Sequence, residues 1–500
     1  MCDILILPKK VISRTHKGVG DEQMKFRKRE RGNNSEIRPR LSREQKREIM
    51  NSPSLARDLL RIIHSYFPEL IKELKEVDDP RYKNYSTFDI CVLLMERILS
   101  AIFSHNSMQT QTFAFNDENM IKNVAIMLKI DLLKELPHHD TINNCLEKLK
   151  PEELEKIIKK MINALIRRNT FKDSRVRGKY WQVLVDGTTI CHYPHKHCEH
   201  CLFRRYKNRK GKVTKVEFYH YVLEAKLVLH ENLVFSMGTE FVDNEEPIPD
   251  EEELYSSEYD EESYDKKKQD CEINAFYRLA NKLKTAFPQL PICITADGLY
   301  PCKPVFEICR DNKWHFILRF KEGCIPTLYD SYRSLHIIKL KEQSFHKIVD
   351  NVRHDYFYAS GLTYEGFNIN FAECEVAGEE YPFLFITDLP VSADNCEDTV
   401  MYGRRRWRIE NEGFKVQKQH GFYLKHMFSK NYNAMKNHYF LIQIAHAISQ
   451  LLEHGTDTIE KAKLTKAQFH VKLFESFQKS VFSIMDLLAA EEPAAIRLKY

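Results

Sequence analysis

Trp181-Gln-Val-Leu-Val185-Asp186-Gly187-Thr-Thr189 is the stretch on which the reading of this chain turns. An apolar run of strand length passes directly into a carboxylate and a glycine, the pattern of a buried strand ending in a turn. The pattern returns at Leu290-Pro-Ile-Cys-Ile-Thr-Ala296, followed by Asp297-Gly298. Around these two, strand-like runs at 216–229, 233–241 and 314–320 alternate with helical patterns at 272–286 and 305–311. Such alternation predicts an α/β core with parallel strands.

Upstream the period is helical: Leu55, Leu59, Leu60, Ile63 and Tyr66 keep i, i+4, i+8 spacing, and later runs repeat the habit. Residues 51–175 therefore read as an all-helical N-terminal domain, a candidate for DNA binding beside the plainer reading of ordinary core helices. Within it, Leu136-Pro-His-His-Asp140-Thr141 reads as a loop feeding a helix, with Asp140 or Thr141 as N-cap. Residues 321–400 carry short alternating segments such as Phe367-Asn-Ile-Asn-Phe371, which predict an antiparallel β insertion. The core is accordingly split, 176–320 and 401–455, and a C-terminal helical segment spans 456–500.

The chain has 500 residues, 43% hydrophobic and 29% charged, too apolar for a disordered protein. No stretch nears the roughly 20 uninterrupted apolar residues of a membrane span, so no membrane role is expected. Its 13 cysteines are odd in number and scattered in apolar runs, which suits reduced thiols in a reducing, cytoplasmic setting. The net charge is only +5 but unevenly spread. Residues 1–50 hold 14 Lys/Arg against 7 Asp/Glu and read as a flexible basic arm. A second basic cluster, with Arg204, Arg205 and Lys210, surrounds Asn208-Arg-Lys-Gly211, a hairpin turn suited to gripping phosphates. Residues 242–268 read as an acidic surface loop.

Carboxylates at the ends of neighbouring strands sit where open α/β sheets bind ligands, and two such groups can share a hard divalent cation. Asp186 and Asp297 are the pair. Glu410, in Arg404-Arg-Arg406-Trp407-Arg-Ile-Glu410-Asn-Glu412, is the third candidate, because a glutamate in so basic a helix lies where phosphate would be drawn. Glu412 is its rival, on roughly the other face of a helix.

Leu184-Val-Asp186-Gly-Thr, Ala296-Asp297-Gly-Leu-Tyr300 and Arg406-Trp-Arg-Ile-Glu410-Asn resemble, in order and spacing, the three acidic motifs of DDE transposases of the IS4-like group. The resemblance covers roughly residues 55–455. It implies an RNase H-like catalytic core in which Asp186, Asp297 and Glu410 hold two Mg²⁺ or Mn²⁺ ions. It also implies metal-dependent cleavage at element ends and strand transfer into target DNA. The implied partners are double-stranded DNA and a second copy of the chain on paired ends, in a nucleoid-associated setting. Near the glutamate that group carries a Tyr, Arg, Glu, Lys signature. Arg406 to Glu410 keeps its spacing, whereas Tyr402 stands one residue too far upstream and Lys418 one too far downstream. Tyr402, Arg404, Arg405, Arg406 and Lys418 are the implied phosphate contacts. Two other readings share these residues: a DNA-binding protein that has lost catalysis, and a metal-dependent nuclease that only hydrolyses.

A separate cluster, Cys191-His-Tyr-Pro-His195-Lys-His197-Cys198-Glu-His200-Cys201, follows the first aspartate. Zinc takes four borderline ligands in a tetrahedron, and Cys191, Cys198, Cys201 and one of His195 or His197 form a candidate set. A His-rich, DNA-facing loop with reduced thiols is the competing reading.

Overall fold

The computed structural model describes residues 55–492 apart from 132, 169–170, 172–173, 231, 245–249, 257–270, 340–341 and 456–463. The arm at 1–50 and most of the acidic tract at 242–268 fall outside the described residues. Among the described residues no helix is long and apolar enough to cross a membrane.

The strands are β1 (Trp181–Tyr193), β2 (Leu202–Lys207), β3 (Val213–His230), β4 (Leu233–Val242), β5 (Ile292–Ala296), β6 (His315–Arg319), β7 (Ser344–Val349), β8 (Val352–Tyr364), β9 (Phe367–Val376) and β10 (Phe383–Thr387). They form one sheet in the order β2-β3-β1-β5-β6-β10-β9-β8-β7, with β4 also on β3. β3 runs antiparallel to β1, β2 and β4. β5 is parallel to β1, and β6 to β5. An antiparallel meander on one side of β1 and parallel strands on the other is the RNase H-like arrangement, so the sheet is mixed rather than parallel throughout.

β1 is apolar on both sides because both of its faces are covered. Val183 and Val185 join the main core, while Leu184 packs with Val228, Val234, Ile409 and Phe414. The strand does not stop at Asp186-Gly187, as an Asp-Gly pair suggests, but continues to Tyr193. The glycine serves another purpose: a Cβ at Gly187 would collide with the phenol of Tyr221. Asp297-Gly298, by contrast, does lie in the turn after β5.

Residues 321–400 contain antiparallel strands, and these prolong the central sheet: β10 pairs with β6, then β9, β8 and β7 follow. The segment also holds a helix, Pro326–Lys339, which an alternating pattern does not announce because only Leu328 and Tyr332 of it are buried. A second helix, Cys396–Arg404, crosses back over β10 and leads into the segment that bears Glu410.

From Leu55 to Ile166 the chain forms helices, and those of the C-terminal region, Tyr432–Gly455, Lys466–Lys479 and Ile484–Ala490, pack among them. Arg97 Nε donates to His438 Nδ1 at 3.1 Å. The Asn123 amide donates to the carbonyls of Phe477 and Ser480 at 2.9 and 2.8 Å. Phe103 meets the rings of Phe474 and Phe477. The two ends of the chain thereby build one helical body, and the residues after 463 close it instead of standing apart. The helix His139–Leu146 is capped by the ring of His138, which accepts from the Asp140 N–H at 3.3 Å, not by Asp140 or Thr141.

Gly403 is where the helix Cys396–Arg404 touches the sheet: a Cβ there would come within 2.5 Å of the Phe385 ring on β10. Gly403→Ala is therefore expected to lift this helix and to cost about 1–3 kcal/mol of stability, read as a lower midpoint of denaturant unfolding. An unchanged midpoint would mean that the helix does not bear on Phe385.

Candidate active site

One face of β1 is covered by the chain that follows residue 400. Gln182 donates its amide to the Tyr402 carbonyl at 2.6 Å and to Thr295 Oγ1 at 2.9 Å. Leu184 is covered by Ile409 and Phe414. Asp186 Oδ2 accepts from Arg406 at 3.0 Å, and Thr188 Oγ1 accepts from the Lys418 ammonium. Residues 182, 184, 186 and 188 share a face because side chains alternate along a strand. The covering chain binds every position of that face from Gln182 to Thr188.

Ile409–Phe414 is a π-helix. Its turn takes in about one residue more than an α-turn, which absorbs the extra residue between Glu410 and Lys418 and brings Lys418 back onto β1. Glu410 is exposed on this segment. Burial, then Lys425, pushes the Lys418 ammonium below its usual range, while Glu410 and Asp186 both pull it up. The two carboxylates thus act on one cation. Glu412 faces elsewhere, toward Arg408 at 3.7 Å and Lys466 at 3.8 Å, which distinguishes the rivals by their surroundings.

Asp297 reaches the same place through the sheet. Leu184 pairs with Thr295 in the parallel β1–β5 ladder, so two residues on, Asp186 and Asp297 emerge side by side. The Asp297 carboxylate accepts from the Leu299 N–H at 2.8 Å, which holds the turn. A fourth carboxylate lies near them, one that no motif announces. Glu272 opens the helix Glu272–Ala286 and accepts from Tyr221 Oη at 2.7 Å and Tyr300 Oη at 2.8 Å. In sequence it is one more acid opening a helix, and only the fold gives it two phenols.

Burial pushes the Asp186 carboxyl up to about 6; Arg406 opposes the shift, and Glu272 and Asp297 add to it. Crowded acids of this kind are short of positive charge, and Arg406 supplies part of it. The set suits a hard divalent cation, which takes oxygen ligands and balances like-charged carboxylates.

Other expected site residues lie elsewhere. Tyr402 Oη accepts from the Arg177 N–H at 3.4 Å. Arg405 donates to the Ser174 carbonyl at 3.4 Å, and Arg404 lies over the Phe383 ring. Of the three consecutive arginines, only Arg406 bonds to a carboxylate of this group. The β2–β3 hairpin forms around Asn208–Lys212, with Gly211 at φ +79°. Arg204 packs over Tyr219, Arg205 donates to the Ser256 carbonyl at 3.0 Å, and Lys210 is exposed. The hairpin is not beside the carboxylates: Asp186 pairs with Glu224, and β3 begins eleven residues earlier, at Val213. That is roughly 36 Å of strand. The proposed zinc set also changes. His195 contacts Glu251 at 3.2 Å and His197 the Lys430 carbonyl at 2.9 Å, while Cys191 is buried in β1. Cys198 and Cys201 instead approach His220, on β3.

Removing the negative charge of Glu272 removes one cause of the raised Asp186 pKa. In metal-free protein, Glu272→Gln should move the Asp186 carboxyl titration down from about 6, followed by carboxyl ¹³C resonance; an unmoved titration would show that Glu272 does not act on Asp186.

Residues 268–448 match the family model described as the transposase DDE domain, a span that includes Asp297 and Glu410 and begins after Asp186. No curated protein matches the chain in sequence. Among solved structures, a piggyBac transposase synaptic complex with hairpin DNA aligns over 86% of this chain and 81% of that chain, at 12% identity and a TM-score of 0.38. A likeness that faint carries no weight here, and the fold rests on strand order and register. Over residues 268–448 the chain is similar to the transposase DDE domain, the family that its acidic motifs resemble.

Proposed function

We propose that this protein is a cut-and-paste DNA transposase of the IS4-like kind, with Asp186, Asp297 and Glu410 holding two Mg²⁺ or Mn²⁺ ions. The observation that carries the reading is the convergence at β1. The β1–β5 register aligns Asp186 with Asp297, and the segment bearing Glu410 bonds back to the same strand through Arg406 and Lys418. Such ions, when bound, would supply positive charge to the attacking and leaving oxygens of an in-line phosphoryl displacement.

The protein's own groups do the rest. Arg406, which bonds Asp186 at 3.0 Å, would be free to bind phosphate oxygens in bidentate fashion once a cation held that carboxylate. Lys418, half-buried beside Thr188, offers a point charge to the same phosphate. Glu272 is a positioning residue: two tyrosines hold it, and its charge keeps the neighbouring aspartates short of cation. Trp407, 54% exposed and next to Arg406, offers a surface on which an unpaired base can stack. The basic hairpin lies roughly one turn of B-DNA, about 34–36 Å, along β3 from the carboxylates, which suits a grip on flanking duplex rather than on the scissile phosphate. The working form is a homodimer on paired ends. The silent DNA binder and the pure nuclease are the readings that the experiment must separate.

Wild type and Asp186→Ala should be incubated with the DNA flanking the gene, in Mg²⁺ or Mn²⁺, and new 3′ ends and joined products mapped. Cleavage at an inverted-repeat boundary and joining into target are expected from wild type alone. Cleavage without joining would indicate a nuclease, and binding without cleavage a silent DNA binder. The acid limb follows from Asp186: with its carboxyl near 6, a proton competes with the cation below that pH. Apparent metal affinity, measured by calorimetry, should fall up to about tenfold per pH unit below about 6 and level off above it.

A further inference from the structure

We propose that Cys198, Cys201 and His220 hold a structural zinc ion that pins the root of the basic β2–β3 hairpin. The sulfurs of Cys198 and Cys201 are 3.7 Å apart, and His220 Nε2 lies 3.5 Å from the first and 3.9 Å from the second. With Zn–S at about 2.3 Å and Zn–N at about 2.0–2.1 Å, the edges of a zinc tetrahedron are about 3.8 Å between sulfurs and about 3.6 Å from sulfur to nitrogen. Two of the three separations match, and the third needs a small closing movement. The sulfurs are too far apart for a disulfide, whose S–S bond is about 2.05 Å.

The chemistry of the cluster agrees with its geometry. Zn²⁺ held by two thiolates and one neutral imidazole is balanced, so the loaded site carries no net charge. That suits its surroundings, in which Cys201 and His220 are buried. Nearby side chains have other partners. His197 bonds to the Lys430 carbonyl, His200 stacks on Tyr432, and Asp243 accepts from Tyr432 and Lys436.

The position gives the ion its role. Cys201 directly precedes β2, and His220 follows Tyr219, the β3 partner of Leu202. The ion would clamp the open end of the hairpin that carries Arg204, Lys210 and their basic neighbours. It would also join that hairpin to the loop after β1, four residues along β3 from Glu224, the partner of Asp186.

The test is metal content of the full chain, purified under reducing conditions without added metal and dialysed against a weak chelator. About one zinc per chain is expected for wild type, for Asp186→Asn and for His197→Ala, and none for Cys198→Ser or His220→Ala. Because a variant could fail to fold, wild type is also loaded with Co²⁺. A thiolate-to-cobalt charge-transfer band with the d–d bands of a tetrahedral ion is expected, and Cys201→Ser should lose the band at unchanged far-ultraviolet dichroism. Wild type that retains no zinc and shows no such band would overturn the proposal, as would Cys198→Ser and His220→Ala at wild-type stoichiometry. Strong chelation should expose the hairpin to trypsin between Arg204 and Lys215, and unchanged cleavage there would overturn the pinning role.

Discussion

β1 must bury both of its faces and still present a carboxylate, and the rest of the molecule is arranged around that constraint. A strand covered on both sides needs apolar residues throughout, yet Asp186 interrupts the run where β1 passes from its parallel neighbour β5 to an edge shared only with β3. The carboxylate is tolerable because Arg406 meets it at 3.0 Å. That single bond attaches the chain after residue 400 to the strand that opens the core, across 220 positions of sequence. Gln182, Leu184 and Thr188 make the attachment continuous, so the segment bearing Glu410 has one register on β1.

Beneath this face lies a buried polar network that repays its own desolvation through mutual hydrogen bonds. Glu224, the cross-strand partner of Asp186, accepts from Ser236 and Tyr439 at 2.8 Å each and pairs with Lys226 at 3.3 Å. Lys226 donates to Gln443 at 2.9 Å, and Gln443 accepts from Gln417 at 2.7 Å. The network joins β3, the helix Tyr432–Gly455 and the helix carrying Lys418. Placing polar groups there restricts how these elements can slide past one another, since any shift leaves a buried donor or acceptor unpaired. The helical body is locked to the sheet through the same helix, which is why the N-terminal and C-terminal helices behave as one layer.

Much of this was legible beforehand, for reasons tied to local periodicity. The segments Trp181–Val185 and Ile292–Ala296 are largely apolar and carry β-branched residues, and the helix Glu272–Ala286 keeps a clean apolar stripe. What escaped notice lacked a local signal. The helix Pro326–Lys339 buries too little to show a stripe, and Asp186-Gly187 mimics a turn although its glycine answers to Tyr221, 34 residues later. Glu272 and His220 are ordinary residues in sequence, one at the start of a helix and one in a strand. They become site residues because tyrosines and cysteines from other elements converge on them. The two extra residues around Arg406 and Glu410 had different fates: a π-turn absorbed the one before Lys418, while Tyr402 stayed bonded to Arg177.

By itself, the sequence determined the kinds of element, the order of the three acidic motifs and the excess of basic residues near Glu410. These depend on residue types a few positions apart, and side-chain period and propensity act over that range. The tertiary structure alone decided which acids share a site, which of three arginines reaches them, that Glu412 turns toward Lys466, and that Cys198 and Cys201 meet His220 instead of Cys191. Each of these outcomes depends on strand register and on which face a helix presents. Both follow from packing among segments tens to hundreds of residues apart, where a shift of one position sends a side chain to the opposite face.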